Sequence, residues 1–321
     1  TTVHFVQSNS TVSGAGRLTV TSTGGPTTFR SNLLWTGSGT TVLRGVSTFS
    51  DVGGTSGIEF GVDGGRTLQN QGVFTLTGHT EIFLGGNPFG ANSGSGTLIN
   101  GVAGTIDMEG DNNAIESVVG SSSSFINAGT LEKTGGGHTI IGVDTRDSGL
   151  IKAVSGTLEF FGSITGGGIL AVDTGAVLRV DGPAASTLRV NFNGGTLALY
   201  DPASFAATIR GFGAGETIDL FRATATKATL GAGDTLVIKN GTTTIATLQL
   251  AGDYTGATFH VASDGGNGTN ITVTGGPAHA GRFIAAMAAF GTGGGEMWHA
   301  INEMRAEARQ PMLSSPSRAY A

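Results

Sequence analysis

Closely spaced acidic side chains are the first place to look for chemistry in this chain. Asp107, Glu109, Asp111 and Glu116 lie close together in sequence, and Asp144, Arg146 and Asp147 form a second group. Two carboxylates about 5–9 Å apart on one face could act as the acid and the base or nucleophile of a glycosidase. Several carboxylates around a cation, with a basic residue nearby, would suit a polysaccharide lyase. The plainer reading is that both groups are solvated turn residues whose sparse charges keep a glycine-rich surface soluble. Nothing else in the sequence converges on either group, so no catalytic residue is assigned.

Other chemistries have weaker signals. Calcium-binding nonapeptides come in tandem with an aspartate at a fixed place. The nearest match, DGGNGTNITV (264–273), stands alone and lacks that aspartate. The histidines at 4, 79, 138, 260, 279 and 299 show no pair at ligand spacing, so no metal site is expected. GGGHT (135–139) opens no helix and does not make a phosphate cradle. The serines sit in turns without a partnered base. The expectation is a non-enzyme with no cofactor, loosely bound calcium in Asx-rich turns being the one option left open.

Composition narrows the elements that could position such residues. Glycine supplies 57 of 321 residues, charged residues only 12% and apolar residues 38%. The usual charged share is about 25%. The apolar content argues against charge-rich disorder, and glycine shows no period of three. A β-rich chain with very many tight turns remains. Net charge is −6 and no basic patch is visible, which argues against nucleic acid. No apolar stretch has the length of a membrane helix. The opening TTVHFVQSNSTVSGAG lacks the basic start and apolar core of a signal peptide. A removed signal, a longer parent chain, or export directed from the other end would each account for that. Cysteine is absent, which fits an extracellular bacterial protein better than a disulfide-stapled secreted one.

Internal repetition is the strongest feature. LQNQGVFTLTG (68–78), LINGVAGTIDMEG (98–110), FINAGTLEKTG (125–135), RDSGLIKAVSG (146–156) and TGGGILAVDTG (165–175) each join a polar turn to a glycine and a short alternating strand. Asn70, Asn100, Asn127 and Asp147 hold the turn position, at steps of 30, 27 and 20 residues, with 19 more to Gly166. A unit of about 20 residues cannot bury its own apolar face, but stacked units can, which is the logic of a solenoid. The spacing predicts Asn70, Asn127 and Asp147 at equivalent corners, hydrogen-bonded from coil to coil, with Leu68 and Phe125 inside. Asn and Gly are expected there to supply a left-handed backbone. A β-sandwich of Gly-rich hairpins is the competing fold.

GRTLQNQGVFTLTG, FINAGTLEKTGGGHTIIG and SGTLEFFGSITGGGILAVDTGAVLRV resemble repeats of large bacterial secreted surface proteins built on a right-handed parallel β-helix. These are adhesins, either autotransporter-passenger-like or type I secreted repeat proteins. FAATIRGFGAGETIDL (205–220) and LQLAGDYTGATFHVASDGGNGTNITV (248–273) resemble a module near the C-termini of such proteins. The resemblance covers roughly 15–275. It implies export and a surface or matrix role, and carries over no catalytic residue.

The expected fold class is thus all-β: a right-handed parallel β-helix with a β-rich C-terminal cap and a short helical tail. Residues 1–190 read as coils, 191–275 as terminal coils and cap, and 276–321 as tail. In the cap, Asn240-Gly241 signals a hairpin within 233–250. In the tail, 282–290 and 295–310 read as helices ended by Pro311, with an apolar stripe of Met297, Ile301 and Met304. The tail could cover the solenoid end, direct secretion, or self-associate through Phe283, Met287 and Phe290. The expected function is a bacterial extracellular or cell-surface structural or adhesive protein. Its expected partners are surface glycans, a host or neighbouring cell surface, or copies of itself, with secretion machinery reading the tail. A polysaccharide-degrading β-helix enzyme and a surface-layer or filament subunit are the alternatives. Only Trp35 and Trp298 are tryptophans, which counts against the enzyme.

Overall fold

Strands that alternate apolar and polar residues can bury one face only if something stacks on it. In this protein each coil is covered by the next. The computed structural model describes residues 4–5, 10–22, 24–51, 57–91 and 94–277. Among them there is no helix; the chain runs through strands of two to nine residues. The helical expectations for 282–290 and 295–310, with Phe283, Met287, Phe290, Met297, Ile301 and Met304, lie outside the described residues.

The strands form three sheets, visited in a fixed rotation. One complete coil is Arg66–Asn70 in sheet 3, Val73–Thr77 in sheet 1 and Thr80–Leu84 in sheet 2. The next is Gly96–Asn100, Thr105–Met108 and Asn113–Ser117. Each strand pairs in parallel with its counterparts in the coils before and after. This is a parallel β-helix, and parallel pairing through 60–180 rules out the hairpin sandwich. Sheet 3 ends at Ile164–Gly166, after which single bridges from Ile164 to Ala184 and on to Phe205 mark its line. The later coils keep the same rotation with only a single bridge on that side.

Inward residues build one continuous core running from Val20, Phe29 and Trp35 to Leu250, Tyr254 and Ile271. Leu68 and Phe125 are fully buried in it, as their place in the repeat predicts. Each such side chain contributes about 1.5–3 kcal/mol by leaving water. In the early coils the filling is aromatic: Trp35 meets Phe60 edge-on at 4.5 Å, and Phe49 meets the same ring at 5.5 Å.

The core corners carry polar groups with prescribed partners. Lys133 follows Leu131 by two, so alternation points it inward. Its Nζ donates to the carbonyls of Gly110 at 2.9 Å and Gly136 at 2.6 Å, and burial pushes its pKa down. Arg66 is buried too, binding Thr41 Oγ1 and the carbonyls of Gly14 and Thr36.

Beyond Leu220 the pairing changes sense. Lys227–Leu230, Thr235–Asn240 and Thr243–Ala251 form an antiparallel meander on the end of sheet 1. Thr258–Ser263 and Thr269–Thr274 form a hairpin on the end of sheet 2. The hairpin expected at 240–241 is present, shifted by one: Asn240 pairs with Thr243, and the two loop residues are Gly241, at φ +58°, and Thr242.

Candidate functional site

The sequence neighbours Asp107, Glu109, Asp111 and Glu116 are separated by the fold. Asp107 points outward from sheet 1 and accepts a hydrogen bond from Thr134 Oγ1 at 2.6 Å. Glu109 and Asp111 are exposed at the corner between sheets 1 and 2, and Glu116 stands on the outside of sheet 2. Pleating divides the second group. Asp144 is exposed and accepts from the backbone N–H and Oγ of Ser163. Arg146 points out from sheet 3, and Asp147 points in and is fully buried. Asp264, in the stretch nearest to a calcium loop, turns its Oδ1 onto the N–H groups of Gly266 and Gly268.

Asp147 belongs to a ladder. Asn70, Asn100, Asn127 and Asp147 are in register, and all four are fully buried. Nδ2 of Asn70 donates to Oδ1 of Asn100 at 2.9 Å, Asn100 to Asn127 at 2.8 Å, and Asn127 to Asp147 at 2.7 Å. The glycine two residues after Asn70, Asn127 or Asp147 is needed for space rather than for a left-handed backbone, which corrects the expectation. Gly72, Gly129 and Gly149 do not have positive φ. A Cβ on Gly129 would collide with the carbonyls of Gly104 and Gly101, and one on Gly149 with that of Gly129. This corner is structural.

Outside sheet 2 the coils bring together residues far apart in sequence. Glu59 and Glu81 are register partners, and Glu116 pairs with Phe83, two residues beyond Glu81. Glu81 is pushed up to about 7, first by burial, then by the charges of Glu116 and Glu59 and a hydrogen bond with Glu116. Three coils further on, Glu159 is 1% exposed. It receives His138 Nε2 at 2.5 Å and an Arg179 terminal nitrogen at 3.0 Å. Burial raises the pKa of Glu159 against the opposing pull of those two partners. Arg179 also grips both oxygens of Asp181 at 2.8 Å and lies 4.0 Å above the ring of Phe221.

The same face carries open aromatic rings. Phe161, Asp181, Tyr200 and Phe221 each follow the last residue of a sheet 2 strand, and backbone bonds keep their coils in step. Phe161 is 50% exposed and Tyr200 42%. Tyr200 lies 6.3 Å from Phe221, with the Arg222 guanidinium 5.5 Å from its own ring. Half-exposed rings beside fixed carboxylates and a guanidinium can hold a polyhydroxylated ligand: rings take its C–H groups and charged groups its hydroxyls. Among the described residues no group of three or more His, Asp or Glu is placed to hold a metal ion.

No protein-family model and no curated protein sequence matches the chain. Sequence reasoning missed Glu59, Glu81, Glu159, Arg179, Phe161, Tyr200 and Phe221. The available signal was positional: GIEFGV, TEIFL, TLEFF and VLRVDG put a charge before an inward apolar residue, just ahead of a turn.

Proposed function

We propose that this is a bacterial secreted or cell-surface protein, structural and adhesive rather than catalytic, which binds surface glycans through the outside of sheet 2. The observation that carries the reading is the half-exposed Phe161 and Tyr200 on one line with Asp181 and Phe221, beside the Glu159–Arg179 network. Adjacent strands lie about 4.8 Å apart, close to the length of one sugar unit. A polymer running along the coil stack would therefore meet side chains from successive coils in turn. The test is a glycan array followed by calorimetry on the strongest ligands, with the double variant Phe161→Ala/Tyr200→Ala. Tight binding that the double variant keeps in full would defeat the reading.

The enzyme reading retains one specific observation in its favour. Glu81 is pushed up to about 7, which suits a general acid near neutral pH. Its direct hydrogen bond to Glu116 holds those two carboxyls closer than the roughly 5–9 Å that acid and base need across a glycosidic bond, so the second carboxyl would have to be Glu59. Release of reducing ends from a polysaccharide, abolished in Glu81→Gln, would establish it over the adhesive reading.

A further inference from the structure

We propose that Asp147 closes the asparagine ladder as a neutral carboxylic acid, its Oδ2 hydroxyl donating to the Ile169 carbonyl, so that the coil stack tightens in acid and loosens when that proton is lost.

The basis is a count of donors. Each asparagine of the ladder has two N–H groups and reaches two acceptors in the next coil with them. Nδ2 of Asn70 and of Asn127 also has the own-coil carbonyl of Gly72 or Gly129 in reach, at 3.0 and 3.4 Å respectively. One goes to the next ladder side chain. The other goes to a backbone carbonyl: Asn70 to Thr105, Asn100 to Thr130 and Asn127 to Leu150. Those three acceptors are register partners at the start of successive sheet 1 strands, and the next in line is Ile169. The ladder stops after Asp147 because its own register partner is Gly166, which offers no side chain. The last rung therefore needs one donor where the others need two. A protonated carboxyl has one; an ionised carboxylate has none.

The surroundings of the side chain agree. Oδ1 already accepts from Asn127 Nδ2 and from the Gly149 N–H at 3.2 Å. Oδ2 is buried without a hydrogen-bond partner among the described residues. It lies against Gly168, where a Cβ would collide with it. No cation faces it. The coil before presents Asn127 and the coil after presents Gly166 and Gly168. On its own strand Arg146 points out to solvent, while the Thr145 hydroxyl turns to the Val143 carbonyl. On sheet 1, Glu132 and Lys152 alternate to the outside, and Lys133 is tied to carbonyls at the next corner. A buried carboxylate with no counter-ion is costly, so the proton stays on. Burial raises the group to about 6 against the pull of Asn127 and Gly149.

The sign follows from that elevation. The folded chain holds the proton more tightly than the unfolded one, whose aspartate titrates near 3.9. The stabilisation is complete below about pH 4 and is lost as pH rises through about 6. The shift corresponds to a change on the order of 100-fold in the folding equilibrium.

The experiment uses the full chain and its Asp147→Asn variant. Infrared difference spectra should show protonated carboxyl C=O intensity at pH 5 that disappears by pH 8, with the part due to Asp147 missing from the variant and the part due to Glu81 common to both. Unfolding in denaturant from pH 4 to 8 should give a wild-type midpoint that falls across pH 4–7 relative to the variant. If the variant does not fold, carbon NMR titration of the aspartates in the wild-type protein decides the matter alone. A buried aspartate titrating near 6 supports the proposal. An Asp147 already ionised at pH 5, or midpoints that move in parallel in the two proteins, overturns it.

Discussion

The column Asn70, Asn100, Asn127, Asp147 shares its four coils with the longer column Glu59, Glu81, Ala114, Ile140, Glu159, Arg179, which starts one coil earlier and ends one coil later, yet only the first repeats itself. The first lies inside a corner. There every polar atom must find a partner in the protein, and an amide, which both donates and accepts, can pass that obligation to an identical neighbour. The second lies outside. Water satisfies what the coil leaves unpaired, except at the buried Glu159, where His138 and Arg179 do so. Sequence is therefore free to differ from coil to coil and charge can collect. The repeated column therefore explains stability, and the irregular column is the place to look for function.

The sharpest break of this contrast is Asn100→Ala. It removes the rung that accepts from Asn70 and donates to Asn127 and to the Thr130 carbonyl. Buried donors and acceptors on both sides are left unpaired at roughly 1–3 kcal/mol each. The expected loss is about 3–4 kcal/mol, read from the denaturant midpoint. A loss under about 1 kcal/mol would mean that the ladder is not a structural device. Next in size is Gly129→Ala, which tests the steric reading of the corner glycines. Its Cβ must push aside two carbonyls of the coil before, and overpacking of this kind costs about 1–3 kcal/mol. Were the substitution neutral, the glycine would be there for some other reason.

The outer column should respond more weakly and in a pH-dependent way. Glu81 is held above the ordinary carboxylate range, so the folded chain binds its proton more tightly than the unfolded chain does. That advantage is complete below about pH 4 and fades as pH rises through about 7. Glu81→Gln removes the late ionisation beside Glu116 and Glu59. Because the site is partly open to solvent, the gain above pH 8 should be only about 1–2 kcal/mol. Equal stability of variant and wild type from pH 5 to 9 would show that neither burial nor the neighbouring carboxylates raise Glu81.

The same contrast explains what could be read in advance. The ladder was legible because Asn-x-Gly recurs at Asn70 and Asn127 and Asp-x-Gly at Asp147, and an interior corner admits few alternatives. Its glycines were legible by type and misread by cause, since close approach of Gly104 and Gly129 backbones leaves no mark in sequence distinct from a left-handed turn. The acids were misgrouped because nearness in sequence is a poor guide in a coil stack. Asp107 and Glu116 fall on different sheets, whereas Glu59 meets Glu81, and Glu159 meets Arg179, from successive coils. Loops of unequal length, such as 85–95 between Leu84 and Gly96, shift the repeat enough to hide those pairs from any fixed period.

The smallest effect on stability should accompany the largest effect on binding. Phe161 and Tyr200 are about half exposed and contribute little to the core, so replacing both with alanine should change the unfolding midpoint by about 0.5 kcal/mol or less. Arg179 keeps its hold on Glu159 and Asp181, which leaves the charged frame in place. If the rings are platforms for sugar faces, each lost ring removes stacking contact of about 0.5–1.5 kcal/mol, and losing both weakens glycan binding by roughly 10- to 100-fold. The measurement is paired: calorimetric affinity and unfolding midpoint on the same preparations. Loss of binding with the fold intact assigns the outer face of sheet 2 to ligand recognition. Loss of both together would return those rings to the structural column and erase the distinction between inside and outside.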